Sequence, residues 1–272
     1  MFRRIFKNFV RNNKSNVLAI LIMKYVVWNN RRILSVVLRY DPIVRFISHM
    51  DNYKDMRIIE IGSNCQGIGY YLRMKITGID LSCNQEDIMS YGKYLDFHQC
   101  DATALNFDDN SFDIAISVDM LEHLNQEQRK NAIKEMIRVS KKWVILALPF
   151  SGQTETYEER LNQLFKKRYG KGNPALEEHR KNGLPDFAEF INIIRNEAAK
   201  AKYDVNIKVL SNLNLKWWYI AQYIETIPVI PYVHRILLPL VKPIFKIMNQ
   251  EPTYRKIIIL NLTSELNRDL GK

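Results

Sequence analysis

A glutamate followed by spaced glycines opens the part of this chain where chemistry can be read. In Arg57-Ile-Ile-Glu-Ile-Gly-Ser-Asn-Cys-Gln-Gly-Ile-Gly-Tyr-Tyr-Leu72, Glu60 stands near the end of an apolar run, and Gly62, Gly67 and Gly69 punctuate the turn after it. Glycine lets the backbone turn sharply and lets a ligand lie against it with no Cβ in the way. Where the turn leads into a helix, unpaired N–H groups face the same ligand. Asp80 closes Lys75-Ile-Thr-Gly-Ile-Asp80, at the distance from Glu60 where a carboxylate can accept bonds from ribose hydroxyls. Asp101 precedes Ala102, and Asp119-Met-Leu-Glu-His-Leu124 gathers two acids and His123. His179 stands apart, in Glu177-Glu178-His179 ahead of Gly183-Leu184-Pro185. Histidines and carboxylates are the groups able to take a proton from an acceptor.

Such residues need a scaffold to bring them together, and the apolar periodicity describes one. Short apolar runs near 57–61, 75–80, 95–100, 112–118, 143–148, 205–210 and 256–262 read as strands, with helical patterns between most of them. Asn125 with Gln128 forms a capping box before a helix whose buried side is Ala132, Ile133, Met136 and Ile137. Asp186 with Glu189 repeats that signature ahead of Phe187, Phe190, Ile194 and Ala198. Alternating strands and helices predict an α/β fold, a doubly wound and mainly parallel sheet of seven strands covered on both faces. Ligands of such sheets bind beyond the carboxyl ends of the strands, where the strand order reverses.

The glycine turn, Asp80, Cys100-Asp101-Ala102, the run Asn106-Phe-Asp-Asp-Asn-Ser-Phe-Asp113 and Leu121-Glu-His-Leu124 succeed one another in a fixed order. In this the sequence resembles the class I S-adenosylmethionine-dependent methyltransferases, of the type 11-like group, over roughly 57–150 and more loosely beyond. The resemblance implies a Rossmann-like methyltransferase fold with an antiparallel seventh strand, and S-adenosyl-L-methionine as cofactor. It implies that Glu60, Gly62, Asn64 and Gly67 lie along the methionine part, and that Asp80 binds both ribose hydroxyls. Leu81 would pack near the adenine, Asp101 would meet its amino group and Ala102 its ring, and Ser117 and Val118 would line the wall near the sulfonium. Asn64 and Gln66 stand where that family commonly has glycine; asparagine tolerates a left-handed backbone, whereas Gln66 leaves the loop shape open.

Methyl transfer to a hydroxyl calls for an acceptor held in line and a base within reach. Candidates are Asp119, His123 and His179, with packing roles as the alternatives: His123 tying helix to loop, His179 at a solvated helix end. No metal ligand set is expected. Three cysteines without metal-type spacing predict reduced thiols in a cytoplasmic protein.

The 272 residues carry a net charge of +11, unevenly spread. Residues 1–57 hold 12 Lys and Arg against three Asp, or +9, leaving +2 for the rest. The division expected is a basic helical extension over 1–56 and a cofactor-binding domain over 57–272, with insertions at 154–185 and 213–256. Phe2, Ile5, Phe6, Phe9 and Val10 alternate with Arg3, Arg4, Lys7 and Arg11 as in a basic amphipathic helix, suited to an anionic membrane surface or to packing on the domain. Val17–Trp28 is too short for a comfortable membrane span. Asp41-Pro42 reads as the start of a helix with Ile43, Val44, Phe46 and Ile47 inward. The 213–256 segment holds Trp217, Trp218, Tyr219, Tyr223 and Tyr232, and its five prolines interrupt any continuous span.

Several functions fit these features. Glu177-Glu178-His179 with Gly183-Leu184-Pro185 resembles methyltransferases associated with surface-polysaccharide synthesis, which implies O-methylation of a saccharide or lipid-linked saccharide. Val118-Asp-Met-Leu-Glu-His-Leu124 looks equally like quinone-pathway O-methyltransferases, implying a phenolic acceptor. The basic extension leaves RNA or protein methylation open, although no RNA-binding module accompanies it and nucleic acid is not the expected partner. A non-catalytic protein retaining the fold is the remaining alternative.

Overall fold

The computed structural model describes residues 34–83, 92–225 and 248–262. The predicted amphipathic helix over 2–10, the apolar run 17–28, most of the proline-rich part of 213–256, and the C-terminal decapeptide lie outside them. Among the described residues seven strands form one sheet: β1 (Ile58–Ile61), β2 (Ile76–Asp80), β3 (Leu95–Gln99), β4 (Phe112–Val118), β5 (Ser140–Pro149), β6 (Asn206–Asn214) and β7 (Thr253–Asn261). Their order is β3-β2-β1-β4-β5-β7-β6. The pairs from β3 to β5 are parallel, while β7 runs antiparallel between β5 and β6. The expected fold, with its antiparallel seventh strand, is the one observed.

β1 is buried throughout and β4 at every position but Asp113, as their largely apolar runs require of a sheet covered on both faces. One face packs on α3 (Gln126–Val139) and α6 (Phe187–Lys200), through Ala132, Ile133, Met136, Phe190, Ile194 and Ala198. Asn125 and Gln128 form the predicted capping box. Asp186 accepts from Glu189 N, but the Glu189 carboxylate turns away to Gln126 at the start of α3, so this cap is one-sided and ties two helices together.

The other face is covered by α1 (Leu34–Ser48), through Tyr40, Ile43 and Ile47 against Ile58, Ile116, Ile145 and Ile257. Contrary to the expectation from Asp41-Pro42, α1 starts well before that pair and carries Pro42 in its interior. A proline there lacks the N–H that would bond the carbonyl four residues back. That carbonyl belongs to Leu38, and Asn212 on β6 donates to it at 3.0 Å. A side chain distant in sequence thus satisfies the group that proline leaves open, and the helix continues.

The 154–185 segment forms two helices, α4 (Gln153–Tyr169) and α5 (Pro174–Asn182). The described start of the other insertion is α7 (Leu215–Glu225), with Trp218 stacked on Tyr254 at 3.9 Å between centroids. No helix among the described residues is long and apolar enough to cross a membrane.

The expectation of reduced thiols is corrected in part. Cys65, after β1, is disulfide-bonded to Cys83, after β2, while Cys100 is free. Parallel pairing of β1 with β2 brings both loops to one sheet edge and sets the two Cα atoms 5.6 Å apart. Eighteen residues of sequence separation conceal that proximity.

Candidate active site

The loop after β1 turns back on itself in a series of left-handed steps. Gly62, Asn64, Cys65 and Gly67 all have positive φ, so Asn64 occupies the conformation its side chain tolerates. Gln66 is not among them; it faces solvent, its N–H bonds Ser63 O at 3.1 Å, and no glycine is needed there. At Gly62, with φ of 77°, an added Cβ would come within 2.4 Å of Met120. At Gly67 it would meet Leu95 at 2.9 Å and the Glu60 carboxylate at 3.0 Å.

Glu60 is 0% exposed and acts on this loop from beneath. Tyr40 of α1 donates to its Oε1 at 2.8 Å, and Ile68 N–H, where the chain enters the short helix α2 (Gly69–Leu72), donates to Oε2. Burial lifts its pKa to about 7, against the pull of the two donors. The proton is therefore held more tightly in the folded chain than in the unfolded one, whose pKa is near 4.5. Glu60's contribution to stability is complete below that pH and falls as pH rises towards 7, by up to about 3 kcal/mol, one pKa unit being about 1.4 kcal/mol. Denaturant midpoints across pH 4–8 should show Glu60→Gln gaining on the parent as pH rises through this window; parallel curves would refute the assignment.

Asp80, at the end of β2, accepts from Leu81 N at 2.8 Å and Asn64 N at 2.9 Å. It thereby ties the glycine loop to the next strand while remaining at the surface of the cleft. Leu81, next to that carboxylate, is 65% exposed. Asp101 accepts from Thr103 N and Thr103 Oγ1, each at 2.8 Å, and holds its loop open at the same sheet edge, with Ala102 half-buried. At the end of β4, Val118 is buried, and the Ser117 hydroxyl is buried with no hydrogen-bond partner. The sheet thus gathers every predicted cofactor residue at the carboxyl ends of β1, β2 and β4 and in the loop after β3, around the point where strand order reverses between β1 and β4.

The profile of the methyltransferase domain family matches residues 60–148, the stretch that contains all of these loops. Residues 60–148 carry a methyltransferase domain. Among solved structures, it is similar to the magnesium protoporphyrin IX methyltransferase of Synechocystis PCC 6803 with bound SAH, at 14% identity and a TM-score of 0.50, covering 82% of this chain and 81% of that one. It is also similar to a possible histamine N-methyltransferase of Thermotoga maritima, at 16% identity and a TM-score of 0.47, covering 88% of this chain and 100% of that one. These likenesses concern the fold. No curated protein matches the sequence.

Beyond β4 this methyltransferase brings together a second group of side chains. The 3-10 turn Leu121–His123 carries Glu122 and His123, and α5 packs against it with Glu178 and His179. His179, 3% exposed, bonds Glu158 of α4 through Nδ1 at 3.0 Å. His123 bonds Glu178 through Nδ1 at 2.8 Å. The two Nε2 atoms face each other at 3.5 Å. Burial, with His179 adding to it, lowers the His123 pKa and favours a neutral ring. A solvated helix end, the alternative expected for His179, is not what surrounds it: the ring is buried, because α4 and Tyr254, which also donates to Glu158, close over it.

Asp119 is engaged differently. Arg255 of β7 holds both its carboxylate oxygens, and Arg39 Nε of α1 forms an ion pair with it at 3.0 Å. Burial alone would raise its pKa, but the two guanidinium groups outweigh burial and hold it below the usual carboxylate range. Sequence reasoning missed Arg39, Arg255, Glu158 and Glu178 as partners of the site. Arg255 on the apolar strand β7 is the one with a readable signal, since a buried arginine implies a buried acid.

Proposed function

We propose that this enzyme methylates a hydroxyl group of a saccharide or lipid-linked saccharide, with His123 and His179 as the pair that manages the acceptor proton. S-adenosylmethionine supplies a methyl group on a positively charged sulfur, already activated for in-line displacement. Glu60, Gly62, Asn64 and Gly67 shape the loop for its methionine part, Asp80 accepts from its ribose, and Leu81, Asp101 and Ala102 frame its adenine. Ser117 and Val118 form the wall beside the sulfonium.

The observation that carries the reading is the histidine pair, His123 in the turn after β4 and His179 on α5, oriented by Glu178 and Glu158. A base oriented by a carboxylate is the arrangement that general-base chemistry requires. Asp119 is set aside as base, because both its oxygens serve Arg255. A cavity of about 230 Å³ opens beside His179, where Leu176 and Leu184 give an apolar wall and Glu155, Glu159, Asn162 and Arg180 supply donors and acceptors, a mixture compatible with a sugar ring. A lipid carrier is favoured by the basic residues of 1–57 and by Trp217, Ile220 and Tyr223, which leave an exposed apolar strip on α7.

Incubation with methyl-labelled cofactor, followed by separation of lipid, polysaccharide, soluble, RNA and protein extracts, tests the acceptor. Label in the lipid or polysaccharide fraction is expected; label confined to RNA or protein overturns the reading. Cofactor placement is tested separately. Asp80→Ala should weaken calorimetric binding of S-adenosylmethionine by about 2–3 kcal/mol, the value of charged hydrogen bonds to two hydroxyls, and unchanged affinity would remove Asp80 from the site.

A further inference from the structure

The carboxylate of Glu122 is 1% exposed, and its Oε2 has no hydrogen-bond partner. Burial, with Asp119 nearby, raises its pKa well above the ordinary value. Protonation does not resolve the orphan, since a hydroxyl at that oxygen would need an acceptor and none is in reach. The histidines present the complementary difficulty. Their Nδ1 atoms are committed to Glu158 and Glu178, so in the neutral rings both Nε2 lone pairs point at one another across 3.5 Å. One oxygen and two nitrogens, each lacking a positive partner, lie within 4.8 Å of one another.

We propose that Glu122, His123 and His179 form a binding site for a divalent transition cation of the zinc type, at the acceptor side of the transfer site. For metal–nitrogen bonds of about 2.0–2.1 Å in tetrahedral geometry, neighbouring donors sit roughly 3.3–3.4 Å apart, close to the separation of the two Nε2 atoms. Each histidine has the outer carboxylate that fixes the metal-binding tautomer and makes the ring a better ligand. Two imidazoles select zinc, cobalt, nickel or iron over magnesium and calcium. Three protein ligands leave a fourth position for water or for an acceptor hydroxyl, whose proton a cation makes easier to remove. Asp119 lies near but is excluded from the ligand set, because Arg255 and Arg39 neutralise it.

The cation's catalytic role rests on the proposed hydroxyl acceptor. With both Nε2 lone pairs bound, the cation, rather than a free histidine, would ease loss of the acceptor proton. The site itself can be measured without an acceptor. Purified full-length protein, stripped with chelator and dialysed, is titrated with cobalt chloride while visible absorption is followed. One equivalent should produce ligand-field bands of a nitrogen- and oxygen-liganded site, zinc chloride should displace them, and magnesium chloride should not. Glu122→Gln and His179→Ala should each weaken binding at least tenfold, and His98→Ala, on β3, should not change it. Circular dichroism and S-adenosylmethionine binding confirm that each variant is folded. Absence of cobalt bands in the parent overturns the site, as does equal binding by a folded Glu122→Gln variant. Either result would leave the cofactor and histidine-pair readings standing, because Asp80→Ala calorimetry and the labelling experiment test those independently.

Discussion

Asp119→Ala is expected to destabilise the folded protein by about 3 kcal/mol, near the lower end of the cost of removing one partner from a buried pair. The loss comes from the charges left behind. Arg255 is 3% exposed and would keep the Asn212 oxygen, at 2.8 Å, and the face of Tyr254, but no carboxylate bonded to it. Arg39 would lose its partner too, but more of it reaches water, which is why the lower end applies. In a domain of this size the thermal midpoint should fall by roughly 6–12 °C, at 2–4 °C per kcal/mol. Asp119→Ala combined with Arg255→Met should recover most of that loss, because the uncompensated charge goes with the arginine. A single variant as stable as the parent would show that the pair contributes nothing, and a double variant worse than the single would place the cost elsewhere.

His179→Ala is expected to reduce turnover about a hundredfold, the usual scale of a general base, with S-adenosylmethionine affinity unchanged. On the proposed mechanism His179 would act through His123, whose Nε2 lies 3.5 Å from its own, so its loss should also alter the pH profile of turnover and not merely its height. His123 would lose the ring that holds its Nε2 in place. Turnover equal to the parent's towards the labelled acceptor would return both histidines to a packing role. A loss matched by unfolding in circular dichroism would show a structural role alone.

The frame of this protein is legible in its residues. Seven apolar runs at α/β spacing, the glycines with positive φ and the carboxylates at strand ends are local or strictly periodic features, and backbone sterics act on them wherever they occur. Asn64 illustrates this, since its side chain alone makes the left-handed step tolerable. The capping box at Asn125 does so too, its two partners lying three residues apart.

Pairings between residues far apart in sequence emerge only once the chain is folded. Pro42 reads as a helix start until Asn212 is brought to Leu38 O. Cys65 and Cys83 read as separate thiols until parallel strands set their loops side by side. Asp119 reads as a base until β7, inserted antiparallel beside β5, delivers Arg255 to it. Glu122, His123 and His179 come together only because α5 folds back onto the turn after β4, across more than fifty residues of chain. Charges and lone pairs act through space over a few ångströms, and sequence records only distance along the chain.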